Sequence, residues 1–329
     1  MPQQTKETNS TLEREGSPWT GLGAVLAKEM ADQLTGARMR ILEILILVIA
    51  GGTIFSALQT IQSNTSQSTQ FLYLKLFTSS QDPLPAFVGF LGFLVPLIAI
   101  ALAFDSVNGE FNRRTLSRVL AQPVYRDALL LGKFLACLST LAVFFTSIWL
   151  LIFGVGVMRL GVPPTAEETW RALLFLLVTI FYGGIWTALA LLFSTAFRSP
   201  ATAALGSIAV WLFFTIFWNI VAGLIFPFLA PKQITTVQEY LQAGEVQTVL
   251  ERISPTTLYA ESAFALLQPS ARSLGIVLPV QLDRAVMGSP LPVSESIQMI
   301  WPHLTGLIAT TILLFAIAYV IFQRQEIRA

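Results

Sequence analysis

The sequence predicts an all-α integral membrane protein with six transmembrane helices, and three observations carry that prediction. Only 12% of the 329 residues are charged and 54% are hydrophobic, with a mean hydropathy of +0.68. A soluble globular chain carries about 25% charged residues. Six apolar runs, approximately 41–61, 84–104, 128–158, 172–197, 201–229 and 301–322, reach the length a span requires. That length is roughly 20 residues for a hydrocarbon core of about 30 Å. Between the second and third runs sits a sharply bounded charged segment from Phe104 to Asp127, which its flanks hold at a membrane face.

Each span is expected to be helical, because lipid offers no partner to a backbone N–H or C=O and the segment must satisfy its own. The third, fourth and fifth runs exceed the minimum and are expected to tilt or project beyond the lipid. The first run is not followed by a small-residue cleavage site, so it reads as a retained span rather than a signal peptide.

Orientation follows from Lys and Arg near the span ends. Thirteen of the twenty fall on one set of connections, among them Arg38, Arg40, Arg113, Arg114, Arg118, Arg126 and Arg198. Seven fall on the opposite set, and four of those lie in the long 230–300 segment, whose length lets it translocate regardless of charge. The chain is therefore read as a multi-pass protein of the cell's inner (cytoplasmic) membrane, with both termini and the 110–126 segment in the cytoplasm.

On that face, residues 1–18 are polar and expected to be a disordered tail. Residues 19–40 place Leu22, Val25, Leu26 and Met30 on one helical face, the pattern of an amphipathic helix in the interface. A short turn at 194–201 carries Arg198 and is broken by Pro200. On the outer face, 62–83 is a solvated loop and 159–171 a brief one. The 230–300 segment is too long for a structureless connector and too interrupted by proline to span. It is expected to form short amphipathic helices, a lid over the outer mouth. Residues 41–329 form one six-span domain.

Several activities are excluded. No Gly-x-x-x-x-Gly-Lys-Ser/Thr loop is present, so the chain does not split ATP by the usual phosphate loop. The single cysteine, Cys137, allows neither an intrachain disulfide nor a zinc cluster. The single histidine, His303, follows Trp301 and Pro302 and reads as interfacial. No catalytic, cofactor or metal site can be assembled, and a net charge of +1 gives no reason to expect nucleic acid. Glu43, Asp105, Asp127 and Lys133 lie close to the cytoplasmic ends of the runs. A proton- or ion-coupled carrier would instead place carboxylates near mid-membrane. A translocation path would fall to weakly polar groups, for which Thr187, Thr215, Trp218 and Asn219 are the candidates.

The charged segment carries the functional reading. Asn108 can cap a helix and Glu110 places a negative charge in its first turn. Leu116, Val119 and Leu120 make an apolar stripe, and Pro123 stops the helix. A short basic helix of this kind, spanning 108–123, suits insertion into a cleft of a soluble motor. The docking residues would be Glu110, Arg113, Arg114, Leu116, Arg118, Leu120, Pro123, Arg126 and Arg198.

Phe104-Asp105, Asn108-Gly109-Glu110, Thr115-Leu116, Pro123-Val124, Arg126 and Leu131-Gly132-Lys133 together resemble the pattern of ABC-2-type permeases, including those of nitrous-oxide-reductase maturation systems. Phe197-Arg198-Ser199-Pro200, Ser254-Pro255-Thr256-Thr257-Leu258-Tyr259 and the ending Arg324-Gln325-Glu326-Ile327-Arg328 add to the likeness. Arg114 departs from it, because many relatives carry glycine there. The resemblance covers nearly the whole chain from about Trp19. It implies an N-terminal elbow helix, a cytoplasmic coupling helix, a second permease chain (identical or not) and two nucleotide-binding ATPase subunits that hold the ATP and Mg. It implies export, with no catalysis by this chain. Two other readings stay open: an ATP-driven complex that transmits motion to an extracytoplasmic accessory protein, and a secondary carrier.

Overall fold

The computed structural model describes residues 19–63, 70–79, 86–114, 125–231, 236–270, 274 and 290–325. Helix is the only regular structure among them, apart from turns. The chain opens with α1 (Leu22–Thr35), turns at Gly36 and enters α2 (Ala37–Ser63). A short α3 (Leu72–Thr78) precedes α4 (Phe87–Ala103) and α5 (Asn108–Asn112). Then come α6 (Arg126–Leu160) and α7 (Ala166–Ala196). The fifth span is built from α8 (Pro200–Leu212), a π-helical turn at Phe213–Phe217 and α9 (Trp218–Leu229). Two helices, α10 (Val237–Glu251) and α11 (Pro255–Leu267), precede the last span, α12 (Val293–Arg324).

Six helical segments are long and apolar enough to cross a membrane: Ala37–Ser63, Phe87–Asn112, Arg126–Leu160, Ala166–Ala196, Pro200–Leu229 and Val293–Arg324. They coincide with the six predicted runs. The differences lie at the ends, where polar residues extend helices beyond the apolar stretch. At the start of α7, Thr165 and Glu168 form a reciprocal capping box, with Glu168 N–H donating to Thr165 Oγ1 at 3.2 Å and Thr165 N–H to Glu168 Oε2 at 2.8 Å. The other oxygen of Glu168 accepts from the Tyr73 N–H at 2.9 Å. One carboxylate thereby caps α7 and satisfies an orphan donor in the first turn of α3.

The fourth span, α7, is the hub, with 67% of its apolar window buried against α4, α6, α8, α11 and α12. Tyr182 and Trp186 sit at its middle, fully enclosed. Phe77, Phe87, Phe153 and Phe175 form an aromatic cluster toward its start. In the fifth and sixth spans only 11% of that window is buried, so those two leave most of their apolar surface to lipid or to another chain.

At the other end of the bundle, α1 lies against the first turns of α6. Val25 is buried there with Leu129, Leu130 and Phe134, so the predicted apolar face does meet protein. Gly132 permits the close approach, because a Cβ there would stand 2.7 Å from a Val25 methyl. Gly132→Ala should therefore cost roughly 1–3 kcal/mol by overpacking, and a compensating Val25→Ala should recover most of it. Unfolding midpoints of the two single variants and the double check this.

The 230–300 segment departs from expectation. Rather than lying across the outer ends alone, α10 and α11 form a hairpin that dips into the bundle. Its corner at Ser254 and Pro255 reaches the π-helical turn midway along the fifth span. Ser254 Oγ donates to the Phe214 carbonyl at 3.1 Å, and Trp218 Nε1 donates to the Leu250 carbonyl at 2.8 Å. A π turn frees carbonyls from the regular ladder, and the hairpin corner supplies a donor for one of them. The rings of Tyr259 and Tyr182 stack at 4.4 Å, and Tyr182 Oη donates to the Gly92 carbonyl at 3.0 Å. The sequence also assigned 293–300 to the outer connection, whereas these residues are the first turns of α12.

Candidate functional site

The described parts of the charged segment, 104–114 and 125–127, meet α1 and the turn between the fourth and fifth spans at one end of the bundle, here the basic end. Lys133, in the first turns of α6, is only 2% exposed and donates to Glu29 of α1 at 2.9 Å and to Glu110 of α5 at 2.7 Å. Burial pushes the Glu29 carboxyl upward, but the charge and hydrogen bond of Lys133, with those of Lys28, hold it below its ordinary value. The network ties three elements far apart in sequence to one ammonium group. A second set of bonds joins α5 to the turn after α7. The Val107 and Asn108 N–H groups donate to Ser194 Oγ at 3.0 and 3.3 Å. Asn108 Nδ2 donates to the Phe197 carbonyl and Asn112 Nδ2 to the Arg198 carbonyl, at 3.2 and 3.0 Å. The end of α12 is fixed beside them, because Asp127 accepts from Tyr319 Oη at 3.0 Å and also from Gln323.

The predicted docking residues divide accordingly. Glu110 points inward to Lys133 rather than outward. Arg113, Arg114 and Arg198 are exposed. The Arg198 guanidinium lies 5.8 Å from the centre of the Phe111 ring, and Phe111 and Phe197 are themselves 39% exposed. Basic and aromatic groups thus share one patch on a cross-braced unit. Arg126 begins α6 and donates to the Gln325 carbonyl at 3.4 Å. Leu116, Arg118, Leu120 and Pro123 lie outside the described residues.

Two local expectations are corrected. Asn108 does not cap α5 from outside. It is the first helical residue, and its side chain is spent on Phe197 instead. The helix expected to run from 108 onward closes at Asn112, with Arg113 as C-cap and Arg114 in the left-handed region at φ 54°. A residue just past a helix end commonly adopts that conformation, and glycine is favoured there for lack of a Cβ. The departure of Arg114 from glycine thus falls where the backbone prefers glycine. Arg114→Gly should stabilise the chain by roughly 1 kcal/mol, read as a raised unfolding midpoint.

The candidate path residues are not gathered in one place. Thr187 is fully buried in α7. Thr215 lies in the π turn, 3.3 Å from the Thr256 hydroxyl, and Trp218 holds Leu250. Asn219 is exposed on the bare face of the fifth span.

A third cluster, toward the opposite end, was missed by sequence reasoning. His303 is buried in α12, and its Nε2 pairs with Glu261 of α11. The same carboxylate oxygen accepts from Arg252 Nε at 2.8 Å, beyond the end of α10. Burial raises the Glu261 carboxyl, but bonds from His303 and Arg252 together with their charges hold it below its ordinary value. Arg171 of α7 is also fully buried. It donates to the Leu266 carbonyl at 3.2 Å, Ser296 Oγ at 3.0 Å, Glu167 at 3.1 Å and the Leu291 carbonyl. The local pattern shows only the pairing of Arg171 with Glu167 one turn earlier; the other partners come from elements distant in sequence.

Among the described residues no group of His, Cys, Asp and Glu could hold a metal ion. A helical domain with six membrane-crossing segments, a braced basic end and a helical hairpin is the architecture of a permease. Residues 23–327 match the family described as ABC-2 family transporter protein, and the chain belongs to that family. It is 25% identical over 255 residues to the "Probable ABC transporter permease protein NosY" of Stutzerimonas stutzeri, covering 76% of this chain and 82% of that protein. It is 28% identical over 221 residues to the protein of the same name in Pseudomonas aeruginosa, covering 65% and 74%.

Proposed function

We propose that this chain is the transmembrane subunit of an ABC exporter, driven by separate nucleotide-binding subunits that hold the ATP and Mg. On this reading the basic end faces the cytoplasm, both termini lie there, and the bilayer is the inner membrane. The observation that supports it most is the patch of Phe111, Arg113, Arg114, Phe197 and Arg198. It is carried by two cytoplasmic elements that Ser194, Asn108 and Asn112 bond into one unit. A push on that patch reaches α1 and α6 through Glu110 and Lys133, and so reaches the spans. A second permease chain would cover the bare faces of the fifth and sixth spans, and the path would run along the face that bears Asn219. The hairpin bears on a second reading, transmission of motion to an extracytoplasmic accessory protein. The bond from Glu261 to His303 would link the corner of that hairpin to the sixth span.

The test is reconstitution with the cognate ATPase subunit. The chain alone should show no ATP hydrolysis, and hydrolysis should appear with the partner. Arg113→Glu combined with Arg198→Glu should weaken assembly or coupling by at least tenfold, because lost charged contacts at an interface cost on the order of 2–5 kcal/mol. ATP turnover by the chain alone, or full coupling in the double variant, would sink the proposal.

A further inference from the structure

A cavity of about 470 Å³ lies at the basic end between α1, the start of α2, the end of α4 and α5. This is the size of a small-ligand site. Four cations and four carboxylates line it, so its formal charge is zero. Most of them are spent on one another. Lys133 holds Glu29 and Glu110, and Arg38 pairs with Asp105 at 2.7 Å. Two groups of opposite sign are left open to a ligand. Asp32 meets only Lys28, at 3.3 Å, and both side chains are at least 60% exposed, so that contact is worth little. Arg113 is exposed and makes no ion pair among the described residues. Beneath the charged rim, Met39, Leu42, Ala101 and Leu102 make an apolar floor.

We infer that this cavity binds a phosphoethanolamine zwitterion carried on a membrane lipid. The planar guanidinium of Arg113 can take a phosphate through two parallel N–H bonds. The Asp32 carboxylate can accept from the primary ammonium group. A choline headgroup has no N–H to give and would leave Asp32 unpaired. A glycerol headgroup adds a net negative charge to a neutral lining that already contains four carboxylates. The apolar floor belongs to α2 and α4, two of the membrane-crossing helices, and suits the start of an acyl chain, and the cavity opens at their charged ends. This inference does not depend on the ATPase partner.

Native mass spectrometry of the full-length chain alone, offered equal mole fractions of dioleoyl phosphatidylethanolamine, phosphatidylcholine and phosphatidylglycerol, tests it. Phosphatidylethanolamine should be retained about tenfold better than either competitor. Asp32→Asn and Arg113→Gln should each reduce that retention about tenfold, the effect of losing one charged hydrogen bond. Both positions are exposed and outside the Lys133 network, so the fold should survive. Soluble glycerophosphoethanolamine should compete poorly, because it lacks the chain that the floor receives. Equal retention of phosphatidylglycerol, or unchanged retention in both variants, overturns the site. Displacement by glycerophosphoethanolamine at matched concentration overturns its assignment to a lipid.

Discussion

Lys133→Met is expected to lower the stability of the chain by about 3–5 kcal/mol, the cost of removing one partner from a buried charge network. Glu29 and Glu110 would then lose the buried ammonium group that both contact, and the mostly exposed Lys28 would remain as the cation beside Glu29. Thermal or chaotrope unfolding in detergent reads the loss directly. Its pH dependence has a definite sign. Because Lys133 and Lys28 hold the Glu29 carboxyl below its ordinary value, its contribution is present above the ordinary carboxylate range and fades as pH falls through the folded value. The gap between wild type and variant should therefore narrow in acid. A triple variant that also carries Glu29→Gln and Glu110→Gln should recover most of the stability, because neutral groups tolerate one another. It should not recover coupling to the ATPase, because the charged link between α5, α1 and α6 is gone. A single variant within about 1 kcal/mol of wild type would show that the network is solvated and mechanically idle.

Arg171→Leu is expected to be comparably damaging, again about 3–5 kcal/mol, but at the opposite end. Its guanidinium serves Leu266 and Leu291, the carbonyls that flank the connection between α11 and the sixth span, and also Ser296 and Glu167. Without it those carbonyls lie against an apolar side chain with no donor. Limited proteolysis in oriented vesicles should then cut between α11 and α12 at least tenfold faster, while the spans stay intact. Arg171→Lys should rescue poorly, since a single ammonium cannot replace a planar fork with donors in fixed directions. Full rescue by lysine would mean that charge alone matters there.

The hairpin shows where sequence reasoning reached its limit. The leucines and aromatics between prolines predict several short helices, and two, α10 and α11, form among the described residues. Their depth was not legible. It depends on Ser254 meeting a carbonyl freed by a π turn, and on Tyr259 stacking on Tyr182 of the fourth span. Likewise Glu110 was recognised as important from its place in a motif, yet its direction was not recoverable. A carboxylate in the first turn of a helix can serve the helix dipole, a partner protein or a buried lysine, and local pattern does not choose among them.

The sequence by itself determined the six spans, the helix that precedes them, the basic end and the family. These follow from hydropathy, charge count and short motifs, which act locally and are written in consecutive residues. Only the tertiary structure decided that Lys133, Arg171 and the Arg252–Glu261–His303 cluster are buried joints, and that the α10–α11 hairpin reaches the middle of the fifth span. Each of these depends on partners distant in sequence. The physical reason is that burying a charge is tolerable only with a matched partner, and which partner arrives is set by how helices pack, not by what lies next along the chain.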